Sequence, residues 1–135
     1  MDFASELKNA YERFLAGDLD RLAALLADTV TYHLPGRHLG GGVLRGKQAV
    51  FRRTAEAVRA CDELPRIRVL TVIGAGQFVV TVERFSARRG DRFIDQEVCV
   101  VWRIDGDRCV ELWAHFSDQA ACDAFWEGSG VEAAG

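Results

Sequence analysis

Three histidines and a few well-placed acids carry most of the acid–base chemistry available to this sequence. His33 is the sharpest candidate. It lies at the end of the segment Val30 to Leu34 (VTYHL), directly before Pro35-Gly36, and alternates out of phase with Tyr32. An imidazole bordering an apolar pocket is pushed toward its neutral form by desolvation, and neutral imidazole accepts a proton near pH 7. General-base help of this kind is worth about 10² to 10⁴ in rate. The competing reading is a structural histidine hydrogen-bonded in the core. His115 and Asp118 form a second group near the end of the last apolar run, where Asp118 equally fits a helix cap. Trp102 adds an indole N–H donor on an apolar face, with a plain core aromatic as the alternative. His38 and Arg37, beside Gly40-Gly41-Gly42, suit a lid, a contact to an anionic substrate, or a solvated loop.

Other chemistry is not signalled. Cys61, Cys99, Cys109 and Cys122 show no C-x-x-C spacing, and free thiols are expected. No phosphate loop, dinucleotide fingerprint or metal triad occurs, and Gly74-Ala75-Gly76 reads as a hairpin turn. Neither a cofactor nor a metal is expected. The chain has 135 residues, half of them apolar and about a quarter charged, with a net charge of −3 in which arginine greatly outnumbers lysine. Its size suits one domain with a real core. A slightly acidic chain with scattered arginines is a poor nucleic-acid binder. Asp2 and Glu6 fall where a secretory signal would be basic, and no apolar run approaches the roughly 20 residues of a membrane span, so a cytoplasmic protein is expected.

The elements that must position these groups centre on Phe93 to Phe116 (FIDQEVCVVWRIDGDRCVELWAHF). Asp105-Gly106-Asp107 is a turn signal, and pairing Ile104 with Arg108 separates two faces. One carries Val98, Val100, Trp102, Val110, Leu112, Ala114 and Phe116. The other carries Glu97, Cys99, Val101, Arg103, Cys109, Glu111, Trp113 and His115. The first face is wholly apolar and must be covered. In this register Glu97 and His115 face each other across the hairpin. They form an interface contact if that face is buried in a dimer, or an acid–base pair in the pocket if the faces are reversed.

The earlier chain supplies the cover. Phe3, Leu7, Ala10, Tyr11 and Phe14 form one stripe of a helix over 2–16. Gly17 stops it, and Asp18 caps a second short helix with Leu19, Leu22, Leu25 and Leu26 on its buried side, closed by Asp28. After the strand Val30 to Leu34 and the glycine loop comes a third helix, 47–61, ended by Asp62-Glu63-Leu64-Pro65. Strands are expected over 66–73 and 78–87, then the hairpin. Asp118 can cap a last short helix through Trp126, and the segment 128–135 reads as a loose tail. The order α-α-β-α-β-β-β-β, with helices segregated from a mostly antiparallel sheet, is α+β. A long sheet with one strongly apolar face should bend around the helices into a cone with a pocket.

Four segments of the sequence carry a family resemblance. They are Tyr11-x-x-Phe14-x-x-Gly17-Asp18, Leu26-Ala27-Asp28 running into Tyr32-His33-Leu34-Pro35-Gly36, Gly46-x-x-Ala49-Val50, and Val101 to Gly106 followed by Glu111-x-Trp113 and Asp118. The chain resembles the NTF2-like superfamily, in particular its SnoaL-like branch of polyketide cyclases and ketosteroid-isomerase-like proteins. The resemblance implies a cystatin-like α+β cone over residues 1–127 with an apolar pocket, and often a homodimer through the outer sheet face. It implies proton-transfer chemistry, as an isomerase, cyclase or lyase, on a hydrophobic, carbonyl-containing, polyketide-like molecule; the alternative is a non-catalytic binding module. In the ketosteroid-isomerase branch a carboxylate base occupies the position of His33, and cyclases keep an acid near Asp118. His33, Trp102 and Asp118 are therefore the catalytic candidates, and Tyr11, Tyr32, Gln96, Val98, Val100, Leu112 and Phe116 the substrate-binding ones. The branch's two oxyanion donors fall here on Ala10, one residue from Tyr11, and on Val100. A steroid isomerase is accordingly not expected, and Tyr32, Gln96, Trp102 and Trp113 are the remaining donors. The two-acids-around-an-arginine pattern of limonene epoxide hydrolases has no counterpart on the apolar face.

Overall fold

The computed structural model describes residues 2–15, 18–36 and 42–131. Its elements run α1 (Phe3–Leu15), α2 (Asp20–Leu25), β1 (Leu26–Leu34), β2 (Gly42–Arg45), α3 (Lys47–Ala60), β3 (Arg66–Ala75), β4 (Phe78–Arg89), β5 (Arg92–Asp105), β6 (Arg108–Phe116) and α4 (Gln119–Trp126). The strands form one curved, unclosed sheet in the order β2-β1-β6-β5-β4-β3, antiparallel except where β1 runs parallel to β6. The α+β cone expected from the sequence is the fold observed. No helix among the described residues is long and apolar enough to cross a membrane.

The sheet's concave face is covered by α1, α2 and α3. Phe3, Leu7, Ala10 and Tyr11 of α1 are buried there with Val30, Leu44, Val98, Val100, Trp102, Leu112 and Ala114. The stripe on α3 is less sealed: Val50 is buried, whereas Phe51, Thr54, Ala57 and Val58 are half-buried because they border a cavity. A second cluster forms where α4 closes one end of the cone, with Cys122, Phe125 and Trp126 against Ala87 and Ile94. Val131 joins it, so the expected loose tail is docked as far as residue 131. Arg89 and Arg92 hold the last carbonyls of α4: Arg89 donates to Phe125 O and Glu127 O, and Arg92 to Ala124 O and Glu127 O. Cations suit that end of a helix.

Several elements differ from the sequence reading. β1 starts at Leu26, so α2 is a single short turn-and-a-half rather than a helix to Asp28. Asp18 still accepts from the Asp20 N–H (3.0 Å), but as a turn before the helix. The glycine segment ends in a strand, β2, which pairs Leu44 with Tyr32 and Val43 with His33. The central hairpin turns through Gly106-Asp107, pairing Asp105 with Arg108, and a bulge then sets Arg103 opposite Glu111. Beyond the bulge the register lies two residues from the expected one, with Cys99 opposite His115. A two-residue slip preserves side-chain parity, so the faces hold. Only the bulge exchanges a pair: Cys109 turns inward and is fully buried, whereas Val110 is half-buried. Burial pushes the Cys109 thiol up to about 12, which makes it an inert core group. All four cysteines are free.

Asp118 caps α4, its carboxylate accepting from the Ala121 N–H at 3.0 Å. Replacing such a cap by alanine costs about 1 kcal/mol. Asp118→Ala should therefore lower Tm by roughly 4 °C, read by thermal denaturation, while the far-ultraviolet circular dichroism of the folded state is retained.

Candidate functional site

Between the helices and the concave face lies a cavity of about 220 Å³. Its walls are overwhelmingly apolar, built by Phe14, Leu22, Leu44, Phe51, Ile67, Phe85, Phe116 and Trp126 among others. Into this lining β4 projects one carboxylate. Successive strand residues point to opposite sides, so Val79, Thr81, Glu83, Phe85 and Ala87 share a face. Pairing of Thr81 with Val100 and Glu83 with Val98 makes it the concave face. Glu83 is 5% exposed.

A carboxylate there must be met by donors, and two reach it. Tyr11 Oη, delivered by α1, donates to Glu83 Oε2 at 2.9 Å. Thr81 Oγ1, two residues away on the same face, donates to the same oxygen at 2.6 Å. Trp102 Nε1 donates to Thr81 Oγ1 at 3.0 Å. Indole is a donor only, so it fixes the direction of the Thr81 hydroxyl toward Glu83. Oε1 receives no hydrogen bond among the described residues. A proton taken up by Glu83 is thus directed to Oε1. Burial raises the Glu83 pKa above the usual carboxylate value, and the bonds from Thr81 and Tyr11 offset this only partly. Burial likewise holds Tyr11 well above its ordinary value, reinforced by the Glu83 charge. A carboxyl poised upward by desolvation, with one oxygen anchored and the other open, is equipped for general acid–base chemistry.

The residues singled out in the sequence divide between the two sides of the sheet. Tyr11, Tyr32, Val98, Val100, Trp102, Leu112 and Phe116 line the cavity. His33 does not. With Tyr32 inward, its neighbour on the strand must point outward, and His33 Nε2 lies 2.6 Å from Glu111 Oε2 on the convex face. Its ring stacks on Trp113 (centroids 5.2 Å apart), and Arg103 binds the other oxygen of Glu111. The His33 bond, then Arg103, lower the Glu111 pKa. The position of a cavity base is therefore not the one His33 occupies. Trp102 lines the cavity but spends its N–H on Thr81. Asp118 is an exposed helix cap. Gln96 is buried as a clip between β5 and α4: its carbonyl accepts from Asp118 N (2.8 Å) and Ser117 Oγ, and its amide donates to Asp118 O. Glu97 and His115 are exposed on the convex face and out of register with each other, which removes the pocket acid–base alternative. Arg37 and His38 lie outside the described residues. Among the described residues no group of three or more His, Cys, Asp or Glu could hold a metal ion.

Glu83 itself is the residue that sequence reasoning missed. The signal was an acid in phase with Val79, Phe85 and Ala87, but the opposite phase of β4 carries as many apolar residues, Phe78, Val80 and Val82.

A carboxyl whose pKa is raised by folding stabilises the fold fully below the ordinary carboxylate pKa, and that contribution is lost as pH rises through the folded value. Glu83→Gln keeps an acceptor for Tyr11 and Thr81 but cannot ionise. Its Tm should exceed that of the unaltered protein by a margin that opens as pH climbs out of the carboxylate range and levels off above the folded pKa. Thermal melts between about pH 4 and pH 8 check this, and a pH-independent gap would contradict the burial argument.

Comparisons agree with this architecture. A model of the SnoaL-like domain matches residues 7–112. An uncharacterized protein of Mycobacterium tuberculosis strain H37Rv is 29% identical over 122 residues, covering 89% of this chain and 92% of that one. Among solved structures, Bal32a from a soil-derived mobile gene cassette superimposes with a TM-score of 0.86 at 26% identity, covering 93% of this chain and 96% of that one. IdmH of Streptomyces antibioticus, a candidate polyketide cyclase, gives a TM-score of 0.73 at 18% identity, covering 96% and 98%; at that identity the likeness speaks for the fold alone. The chain belongs to the SnoaL-like domain family, with the NTF2-like, cystatin-like fold of its structural neighbours.

Proposed function

We propose that this protein is a cofactor-independent enzyme that moves a proton on an apolar, carbonyl-bearing small molecule, with Glu83 as the acid–base group. The observation that carries the proposal is the one carboxyl among the described lining residues, lifted by burial and anchored through Oε2 by Tyr11 and Thr81, in a cavity with mainly apolar walls. Ionised Glu83 would remove a proton from the carbon next to a carbonyl. The C–H bond breaks, its electron pair forms the C=C bond of an enolate, and the negative charge moves to the carbonyl oxygen. Return of the proton to another carbon isomerises the substrate; alternatively the enolate carbon attacks a second carbonyl, whose π pair moves to its oxygen, and that alkoxide takes the proton back from Glu83 to complete the ring. The apolar walls orient the substrate and exclude water, which counts heavily when geometry is right. A polyketide-like substrate suits the cavity's character, and IdmH and TerC, the latter co-crystallised with polyporic acid, share the fold.

Proton transfer can be read without knowing the natural substrate. Bicyclic ketones such as 2-tetralone, incubated in D2O, would exchange their α-protons faster in the presence of the protein, followed by NMR. Glu83→Gln should reduce that exchange by about 10² or more, whereas His33→Gln, on the other side of the sheet, should leave it within about twofold. Loss in the His33 variant with survival in the Glu83 variant would return the base to His33. Ketone binding with no exchange above background would make the protein a binding module.

The convex face suits a second copy of this chain. Val80, Val82, Cys99, Val101 and Trp113 are half-buried there, and Ile73 and Phe78 are 58% and 44% exposed. Sedimentation equilibrium should give twice the chain mass, and Val101→Arg should give the monomer; a monomeric unaltered protein would refute the dimer.

A further inference from the structure

Two tyrosines enter the cavity, and only one is occupied. Tyr11 spends its hydroxyl on Glu83 Oε2. Tyr32, set inward on β1 between Leu44 of β2 and Leu112 of β6, makes no hydrogen bond among the described residues. Nor is its hydroxyl sealed in the core, because the one buried side-chain polar atom without a partner among the described residues is Trp126 Nε1. Tyr32 is only half-buried by surface, yet burial pushes its phenol strongly upward, with the Glu83 charge as the next cause. Both observations are met if its exposed surface faces the cavity rather than bulk water. The phenol then stays protonated, and in a neutral phenol the O–H is available to donate.

We infer that Tyr32 is the group that holds the ligand's oxygen, and that the cavity selects an uncharged, largely apolar molecule bearing a carbonyl. Among the described residues two side-chain polar atoms of the apolar lining are unspent and not sealed: Glu83 Oε1, which takes or returns a proton, and Tyr32 Oη, which donates; Trp126 Nε1, also without a partner, is buried. A carbonyl with an acidic neighbouring carbon uses both. When charge moves to the carbonyl oxygen, the Tyr32 O–H meets it, an interaction stronger in the transition state than in the bound ketone. A carboxylate or phosphate is disfavoured, because the ionisable groups around the lining are Glu83, Tyr11, Tyr32 and Cys109, all of which become anions. The lining's one described cation, Arg53, is engaged with Glu56 at 3.7 Å.

This inference rests on Glu83 as the proton-transfer group, and the two tyrosines separate the claims. The probes are 2-tetralone, its hydrocarbon counterpart tetralin, and 2-naphthoate, with binding by calorimetry and α-exchange by NMR. The unaltered protein should prefer 2-tetralone to tetralin and to 2-naphthoate. Tyr32→Phe should cut the ketone-over-hydrocarbon preference by roughly fivefold to tenfold and slow exchange by on the order of 10², with the pH midpoint of exchange in place. Tyr11→Phe should keep the preference and move that midpoint upward, since a bond that lowers the Glu83 pKa is lost. Glu83→Gln should reduce exchange by about 10² or more and keep the preference. If the preference survives in Tyr32→Phe, or the unaltered protein shows none, the role of Tyr32 is refuted. If exchange survives in Glu83→Gln, the reading beneath it falls instead.

Discussion

The structure turns on the cost of placing a carboxyl in an apolar cavity. An ionised carboxylate removed from water without compensation is one of the most expensive features a fold can carry. Glu83 is tolerated because three elements converge on it. α1 must cross the sheet at the height that brings Tyr11 to Oε2. β4 must hold its phase so that Thr81 stands beside it. β5 must pair in the register that puts Trp102 within reach of the Thr81 hydroxyl. The compensation is incomplete, which is why the carboxyl remains raised. Full compensation would give an ordinary carboxylate with little appetite for a proton from carbon.

The same alternation that brings Glu83 inward sends most of the other ionisable groups outward. His33, Glu111 and Arg103 satisfy one another on the convex face, as Arg84 and Asp95 do at 2.7 Å. Half-exposed pairs of this kind add little stability; their effect is to let the convex face remain partly polar around its apolar centre. The concave face keeps Glu83 with its hydroxyl partners Tyr11 and Thr81, and the phenol of Tyr32, which is left open to the cavity. A cavity forgoes packing contacts that a filled core would make. Large side chains on all four helices surround this one without filling it.

Much of the fold could be read from the sequence, for reasons that also explain what could not. The faces of β5 and β6 followed from parity, and parity survived a register error of two residues because side chains repeat with period two. The bulge beyond the turn was invisible because it depends on backbone hydrogen bonding, and it alone exchanged Cys109 with Val110. β2 was hidden because Gly42-Val43-Leu44-Arg45 is too short to show a period and gains its strand character only from pairing with β1. Tyr11, Tyr32, Val98, Val100, Trp102, Leu112 and Phe116 were placed at the cavity from pattern and resemblance. His33 was misplaced through its position at a strand end, although Tyr32 and His33 could not both face inward. Glu83 was missed because β4 read alone does not choose between two buried sets, Phe78, Val80 and Val82 or Val79, Phe85 and Ala87. Only the pairing of Thr81 with Val100 and Glu83 with Val98 decides it.

The contrast between the two acids nearest to chemistry follows from where water is. Glu111 has the more familiar arrangement, a carboxylate against an imidazole at 2.6 Å with an arginine behind it. Those partners hold its pKa down, and bulk solvent reaches the group, so it gains nothing by accepting a proton from a weak acid. Glu83 has neutral hydroxyl partners only, on one oxygen, and desolvation acts against its charge. Its affinity for a proton is therefore set by the cavity itself, and any ligand that fills the cavity and displaces water strengthens the effect. Substrate binding and base strength are in this way coupled through one variable, the dryness of the space in front of Oε1.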